Sequence, residues 1–174
     1  MSEDDGSAAP GPVRVSRRVP ASAAVLFRIL SDPGRHTELD GTGMLRGAVT
    51  AGPVTAVGDV FTMRMHYSKL GDYEMDNHVV EFEPDRRIAW EPVAGRGHPD
   101  VGQDDARWGH RWGYTLEPAG LGATLVTETY GCSSAPLDEQ IAMEFGRVWI
   151  GGMERTLEQL ERVAAAAAPP AASP

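Results

Sequence analysis

The stretch Pro136–Ala167, PLDEQIAMEFGRVWIGGMERTLEQLERVAAAA, decides the fold. Its apolar positions Ile141, Phe145, Val148, Trp149, Gly152, Met153, Leu157, Leu160 and Val163 recur at steps of three and four, the period that gathers side chains on one helical face. Glu144, Arg147, Glu154, Glu158, Glu161 and Arg162 fall on the other face, with Glu158 and Arg162 spaced as a favourable surface pair. Ser133 and Ser134 are candidate caps, Pro136 suits a first turn in which an N–H has no intrahelical partner, and Pro169-Pro170 ends the pattern. The spacing predicts one helix over 136–167 whose wide apolar face needs a large partner surface. Gly151 and Gly152 sit inside it, each costing about 1 kcal/mol relative to alanine. Two readings account for them: close backbone approach to a sheet or a small kink, or room for a ligand between helix and sheet.

The partner surface lies upstream. From Gly43 onward the apolar residues alternate with period two, broken by Gly, Pro and Asp turns. Strands are expected at 44–50, 60–68, 73–83, 88–93, 107–116 and 124–132, the last two joined around Pro118 to Gly122. An earlier strand at 13–19 leads through Pro20-Ala21-Ser22 into a helix bearing Val25, Leu26, Ile29 and Leu30 on one face, with a further helical turn at 35–39. Residues 1–12 and 168–174 are poor in large apolar residues and read as disordered tails around one domain at 13–167. About seven antiparallel strands followed by a long helix give an α+β fold in which a curved sheet covers the helix, with a short helical insert after the first strand. A space between sheet and helix is where a ligand would sit.

Composition narrows the partners. Of 174 residues, 25 are Asp or Glu against 16 Lys or Arg, which argues against a nucleic-acid backbone or an anionic membrane surface. Cys132 is the only cysteine, so no disulfide framework and no cysteine-based zinc cluster can form, as expected of a reducing cytoplasm. No run of about 18 apolar residues suggests a membrane span, and no secretory leader is apparent.

Val19-Pro20-Ala21 leading into Val25-Leu26-Phe27, then Leu30-Ser31-Asp32-Pro33, resembles the opening of the START-like, helix-grip (SRPBCC) superfamily, in its polyketide cyclase/dehydrase and lipid-transport branch. The run from Val80 through Pro84 to Trp90, Trp112-Gly113-Tyr114-Thr115-Leu116-Glu117-Pro118 and Gly122-Ala123-Thr124-Leu125-Val126-Thr127-Glu128 resemble its central strands, so the likeness covers 13–163. What the resemblance implies is a hydrophobic cavity between sheet and helix, no obligatory metal and no cofactor. Its motifs are turns and core positions, so they speak for the fold and leave function open. The leading expectation is binding of a lipid, polyketide or aromatic metabolite. The alternatives are an aromatase/cyclase- or dehydratase-type enzyme and an interaction module resembling chaperone activators.

Candidate residues follow from alternation. Phe61, Met63, Met65 and Tyr67 share one face of their strand and are expected to line the cavity, although both methionines also suit plain core filling. Trp108, His110, Trp112, Tyr114 and Leu116 share a face, and the family-like register puts Val126, Glu128 and Tyr130 beside them. His110, Glu128 and Tyr130 are the catalytic candidates, because a carboxyl removed from water beside a histidine and a phenol can move protons. A surface ion pair of Glu128 with Arg107 or Arg111 is the competing reading, since a register shift of one residue turns the whole set outward. On the helix, Phe145, Trp149 and Met153 are expected at the ligand. His36, Glu38 and Asp40 show no metal-ligand spacing, Asp40 to Gly43 reads as a flexible rim, and the 94–105 loop is long and charged enough to shape the entrance.

Overall fold

The computed structural model describes residues 10–102 and 109–167. Seven strands, β1 (Val13–Val19), β2 (Leu45–Ala48), β3 (Val60–Tyr67), β4 (Gly71–Glu83), β5 (Arg87–Ala94), β6 (Arg111–Pro118) and β7 (Thr124–Gly131), form one sheet in the order β1-β7-β6-β5-β4-β3-β2. Every neighbouring pair is antiparallel. Irregular register between Val79 and Glu81 in β4, and between Leu45 and Gly47 in β2, interrupts the ladder as bulges do, and bulges increase a sheet's bend and twist.

Between β1 and β2 lie α1 (Ala23–Leu30), a 3₁₀ turn (Pro33–Arg35) and α2 (His36–Leu39). The Ser22 side chain caps α1 by accepting from Val25 N–H, and α1 buries Leu26, Phe27, Ile29 and Leu30. The final helix, α4 (Ile150–Ala167), packs against β1, β7, α1 and α2 and buries Met153, Leu157, Leu160 and Ala164. Leu157 and Leu160 join Val19, Leu26, Phe61, Val79, Ile88, Leu116 and Val126 in the main core. The architecture is the expected curved antiparallel sheet around a C-terminal helix.

The helix expected over 136–167 is broken. A short helix α3 (Leu137–Ala142) is followed by a 3₁₀ stretch (Glu144–Trp149) in which Phe145 and Gly146 leave helical geometry. Glu144, Phe145 and Gly146 have φ of 47°, 54° and 97°, so the chain turns before α4 begins. Packing explains the turn: Gly146 lies so close to Tyr130 that a Cβ there would stand 2.8 Å from the ring's Cδ1. Because of the break, Ile141 and Val148 leave the apolar stripe and are 57% and 46% exposed. Neither serine caps α3; its N-cap position is Pro136, and the Gln140 side chain donates back to the carbonyls of Ser133 and Ala135.

One of the two helix glycines also resolves. Gly152 meets the 40–43 loop: a Cβ on Gly41 would stand 2.6 Å from Thr156 N, and one on Gly152 would stand 3.1 Å from Thr42 Cγ2. The loop expected to be a flexible rim is tied down. Asp40 Oδ1 accepts from the Thr42 N–H and hydroxyl, Asp40 Oδ2 from Leu45 N–H, and Gly41 N–H donates to Thr156 Oγ1. Close approach therefore explains Gly152, but to the 40–43 loop rather than to the sheet, whereas a Cβ on Gly151 would meet only Arg155 Nη1 at 3.5 Å.

Candidate functional site

The last hairpin builds the site. Trp112 pairs with Tyr130, Tyr114 with Glu128 and Leu116 with Val126, and directly opposed residues of an antiparallel pair share a face. That face looks inward: Tyr114, Leu116, Val126, Glu128 and Tyr130 are all buried, whereas Arg111 on the other face pairs with Glu81 and Glu91. Arg111 is thus committed to outer carboxylates. Glu128 is 3% exposed.

Two aromatic groups bracket Glu128. On one side His36 stacks on Trp90 at 5.4 Å, Phe61 meets Trp90 edge-on at 5.4 Å, and Trp90 lies 5.9 Å from Tyr114. On the other, Trp112 lies 4.5 Å from Tyr130, and Trp149 at the head of α4 meets both, with centroids 5.8 Å and 6.0 Å away. Met153 packs into this second group.

The Tyr114 hydroxyl donates to Glu128 Oε1 at 3.0 Å, while Glu128 Oε2 is buried with no hydrogen-bond partner among the described residues. Burial pushes the Glu128 carboxyl up to about 8; the Tyr114 hydrogen bond opposes this and the Asp40 carboxylate reinforces it. Glu128 is therefore mostly protonated at neutral pH. Burial likewise raises Tyr114 well above the ordinary phenol range, assisted by the Glu128 charge and hydrogen bond. The Trp149 indole N–H is the second orphan. It lies near enough to the Tyr130 hydroxyl to oppose the rise that burial causes there, yet meets it without hydrogen-bond geometry.

A second polar chain leads outward. The Tyr130 hydroxyl and His110 Nδ1 are 2.5 Å apart, and His110 Nε2 lies 3.2 Å from Glu139 Oε2 on α3. With Nε2 carrying the proton, His110 accepts from Tyr130 and donates to Glu139, which is 45% exposed. Glu139 had no signal in the sequence, because an acidic residue in a first helical turn is ordinary complementation of the helix dipole.

The remaining expected residues divide. Phe61 and Met63 are fully buried in the main core, Met65 packs partly against it, and Tyr67 is 39% exposed at the strand's end. Phe145 sits in the helix break, half-buried, and Trp108 lies outside the described residues. Asn77 faces inward and donates to the Phe61 and Met75 carbonyls; the His36 ring Nε2 bonds the Leu30 carbonyl at 2.8 Å. Both therefore serve the core. Among the described residues, a surface concavity of about 300 Å³ opens on the seam between β1 and α4, between Val15, Arg17, Glu154 and Leu157. Val15 is the β1 residue paired with Glu128, so this seam lies one strand away from Glu128, which does not itself line it. Another, about 610 Å³, lies between α1, Val54 and Phe82 and involves none of the candidate residues.

Among the described residues, no helix is long and apolar enough to cross a membrane. The chain is 36% identical over 127 residues to an uncharacterized Mycobacterium tuberculosis protein, Rv0088, a match covering 72% of this chain and 50% of that protein. It spans about half the length of the curated relatives it matches. Two solved structures share the fold. A protein from Arthrobacter aurescens aligns with a TM-score of 0.66 at 15% identity over 94% of this chain and 92% of that one. Protein NE0264 from Nitrosomonas europaea aligns with 0.65 at 14% identity over 91% and 96%. A family model described as polyketide cyclase / dehydrase and lipid transport matches residues 11–165. With its seven-stranded sheet closed over a C-terminal helix, the chain belongs to this polyketide cyclase/dehydrase and lipid-transport family of helix-grip proteins.

Proposed function

We propose that this protein binds a hydrophobic small molecule, a lipid, polyketide or aromatic metabolite, between the inner face of the sheet and the head of α4. The observation that carries the reading is Glu128: a buried carboxyl set among aromatic rings, with one oxygen bonded to Tyr114 and the other without a partner. Leaving a buried polar atom unsatisfied costs about 1–3 kcal/mol, a cost a bound ligand would relieve. Trp112, Tyr114, Trp149 and Met153 supply the walls of the proposed site, and the β1–α4 seam beside Val15 supplies its approach. Phe61, Met63 and Met65 support the floor from the neighbouring core rather than touching the ligand's polar end. A cytoplasmic setting is part of the proposal, supported by an acidic chain whose single cysteine is a buried free thiol.

Native mass spectrometry of the full chain purified from its own host tests this. A mass increment that organic extraction removes, with an apolar compound in the extract, supports it. Protein that carries nothing and takes up no apolar probe in calorimetry overturns it.

A second reading, an enzyme of the cyclase or dehydratase kind, is favoured by the Tyr130–His110–Glu139 chain. In it Glu128 donates a proton to a leaving hydroxyl or developing enolate, and Tyr130, assisted by His110, exchanges a proton at a second ligand atom. Conversion of a bound polyketide-like compound by the native protein, absent with Glu128→Gln, separates catalyst from carrier.

A further inference from the structure

We propose that the ligand is a neutral molecule bearing a carbonyl or similar acceptor oxygen on an apolar body, held by two hydrogen-bond donors, the Glu128 carboxyl and the Trp149 indole N–H, and that the site rejects carboxylates. The inference deepens the binding reading above and rests on it. These two side chains hold the orphan atoms of the buried face, Glu128 Oε2 and Trp149 Nε1, and Tyr130 lies between them: it follows Glu128 by one inward position on β7 and touches the Trp149 ring. Indole N–H can only donate. Glu128 Oε1 already accepts from Tyr114, and with burial keeping the carboxyl protonated, Oε2 becomes a donor as well. Two unfilled donors in an aromatic setting match acceptor oxygens.

Charge excludes the alternative. A carboxylate entering here would meet a Glu128 carboxyl that burial keeps neutral, so what opposes it is the Asp40 carboxylate, close enough to act on Glu128, and the cost of burying its own charge. The described inward positions of β1, β6 and β7 carry one basic residue, Arg17, and it stands at the sheet's edge, paired with Glu161 of α4 at 2.5 Å. His110, which reaches this face through Tyr130, is already bonded to the Tyr130 hydroxyl and to Glu139, so neither of these two basic groups is placed to neutralise a buried ligand carboxylate, and burying an unpaired charge is far costlier than burying a carbonyl.

Isothermal titration calorimetry of the full chain with three probes of one size, methyl naphthyl ketone, naphthoate and methylnaphthalene, tests the proposal. The ketone should bind about tenfold or more tighter than methylnaphthalene, the effect of a well-made buried hydrogen bond, and about tenfold or more tighter than naphthoate, whose charge would be buried unpaired. Trp149→Phe should weaken the ketone about tenfold and leave methylnaphthalene unchanged; Glu128→Leu should do the same, and Glu128→Gln, which keeps a neutral donor, should stay within about threefold of the native protein. Naphthoate binding as tightly as the ketone overturns the proposal while the binding site stands. So does a loss of ketone and methylnaphthalene alike in both Trp149→Phe and Glu128→Leu. Binding of none of the three by the native protein removes the site itself, and the ranking of probes on native protein decides the matter even where a variant fails to fold.

Discussion

Gly41 lies against Gly152 with no room for a side chain: a Cβ on Gly41 would stand 2.6 Å from Thr156 N on the next turn of α4. This contact, with the Gly41 N–H to Thr156 Oγ1 hydrogen bond and the Arg155 Nε to Gly41 carbonyl bond, fixes the 40–43 loop to the helix and holds Asp40 near Glu128. Gly41→Ala is expected to destabilise the fold by about 2–4 kcal/mol, as overpacking against backbone does. Gly151→Ala is the control. Its Cβ would meet only Arg155 Nη1 at 3.5 Å, so helix propensity should stabilise it by up to about 1 kcal/mol. Urea unfolding of the two variants checks both signs.

The pattern that made the sheet legible is the one that hid the helix break. In β6 and β7 alternation grouped Trp112 with Tyr114, and Val126 with Glu128 and Tyr130, but only the family-like register set the two groups on one inward face, against a competing reading of Glu128 as a surface ion pair; the structure pairs Tyr114 with Glu128. Around 141–148 the spacing of Ile141, Phe145 and Val148 imitates a helical stripe, so only Gly146 hinted at a break. The cause is tertiary: the flat approach of Gly146 to Tyr130 comes from a residue sixteen positions away, which no local window contains. For the same reason Glu139 and Asp40 were invisible as neighbours of the site. Their partners, Glu128 on β7 and His110 just before β6, come near only in the assembled fold.

The helix break should respond to substitution in opposite directions at adjacent positions. Gly146 has φ 97°, and any Cβ there presses on the Tyr130 ring, so Gly146→Ala should cost about 2 kcal/mol or more and disturb the near-ultraviolet dichroism of Tyr130, Trp112 and Trp149. Glu144 holds φ 47° with an ordinary side chain, so Glu144→Gly should relieve strain and stabilise by about 0.5–1 kcal/mol. A continuous α3–α4 helix would reverse both results.

Glu128 ties stability to pH. Its carboxyl titrates at about 8 in the folded protein against an ordinary 4.5, so the folded state holds the proton more tightly than the unfolded chain. The contribution is fully present below about pH 4.5 and is lost as pH rises toward about 8, at up to about 1.4 kcal/mol per pH unit. Glu128→Gln cannot ionise, so native protein should lose stability relative to this variant between those limits and show a constant difference above them. Parallel urea midpoints for the two proteins from about pH 5 to about pH 8 would rule out a raised Glu128.

The Tyr130 hydroxyl offers the sharpest test between carrier and catalyst. It shares a short hydrogen bond with His110 Nδ1, and His110 Nε2 reaches Glu139, so a proton leaving the ligand through Tyr130 could pass to a partly exposed carboxylate on α3. Tyr130→Phe keeps the ring that packs on Trp112, Trp149 and Gly146 and removes only the proton-bearing oxygen. If the protein is a catalyst, conversion of a bound polyketide-like compound, followed by mass spectrometry, should fall by about a hundredfold or more, with affinity changed by less than about threefold. Glu139→Gln should fall less, because its amide oxygen still accepts from His110 Nε2–H while losing the charge that stabilises an imidazolium. A carrier predicts something different: native protein and both variants return the ligand chemically unchanged, and Tyr130→Phe alters only its release rate.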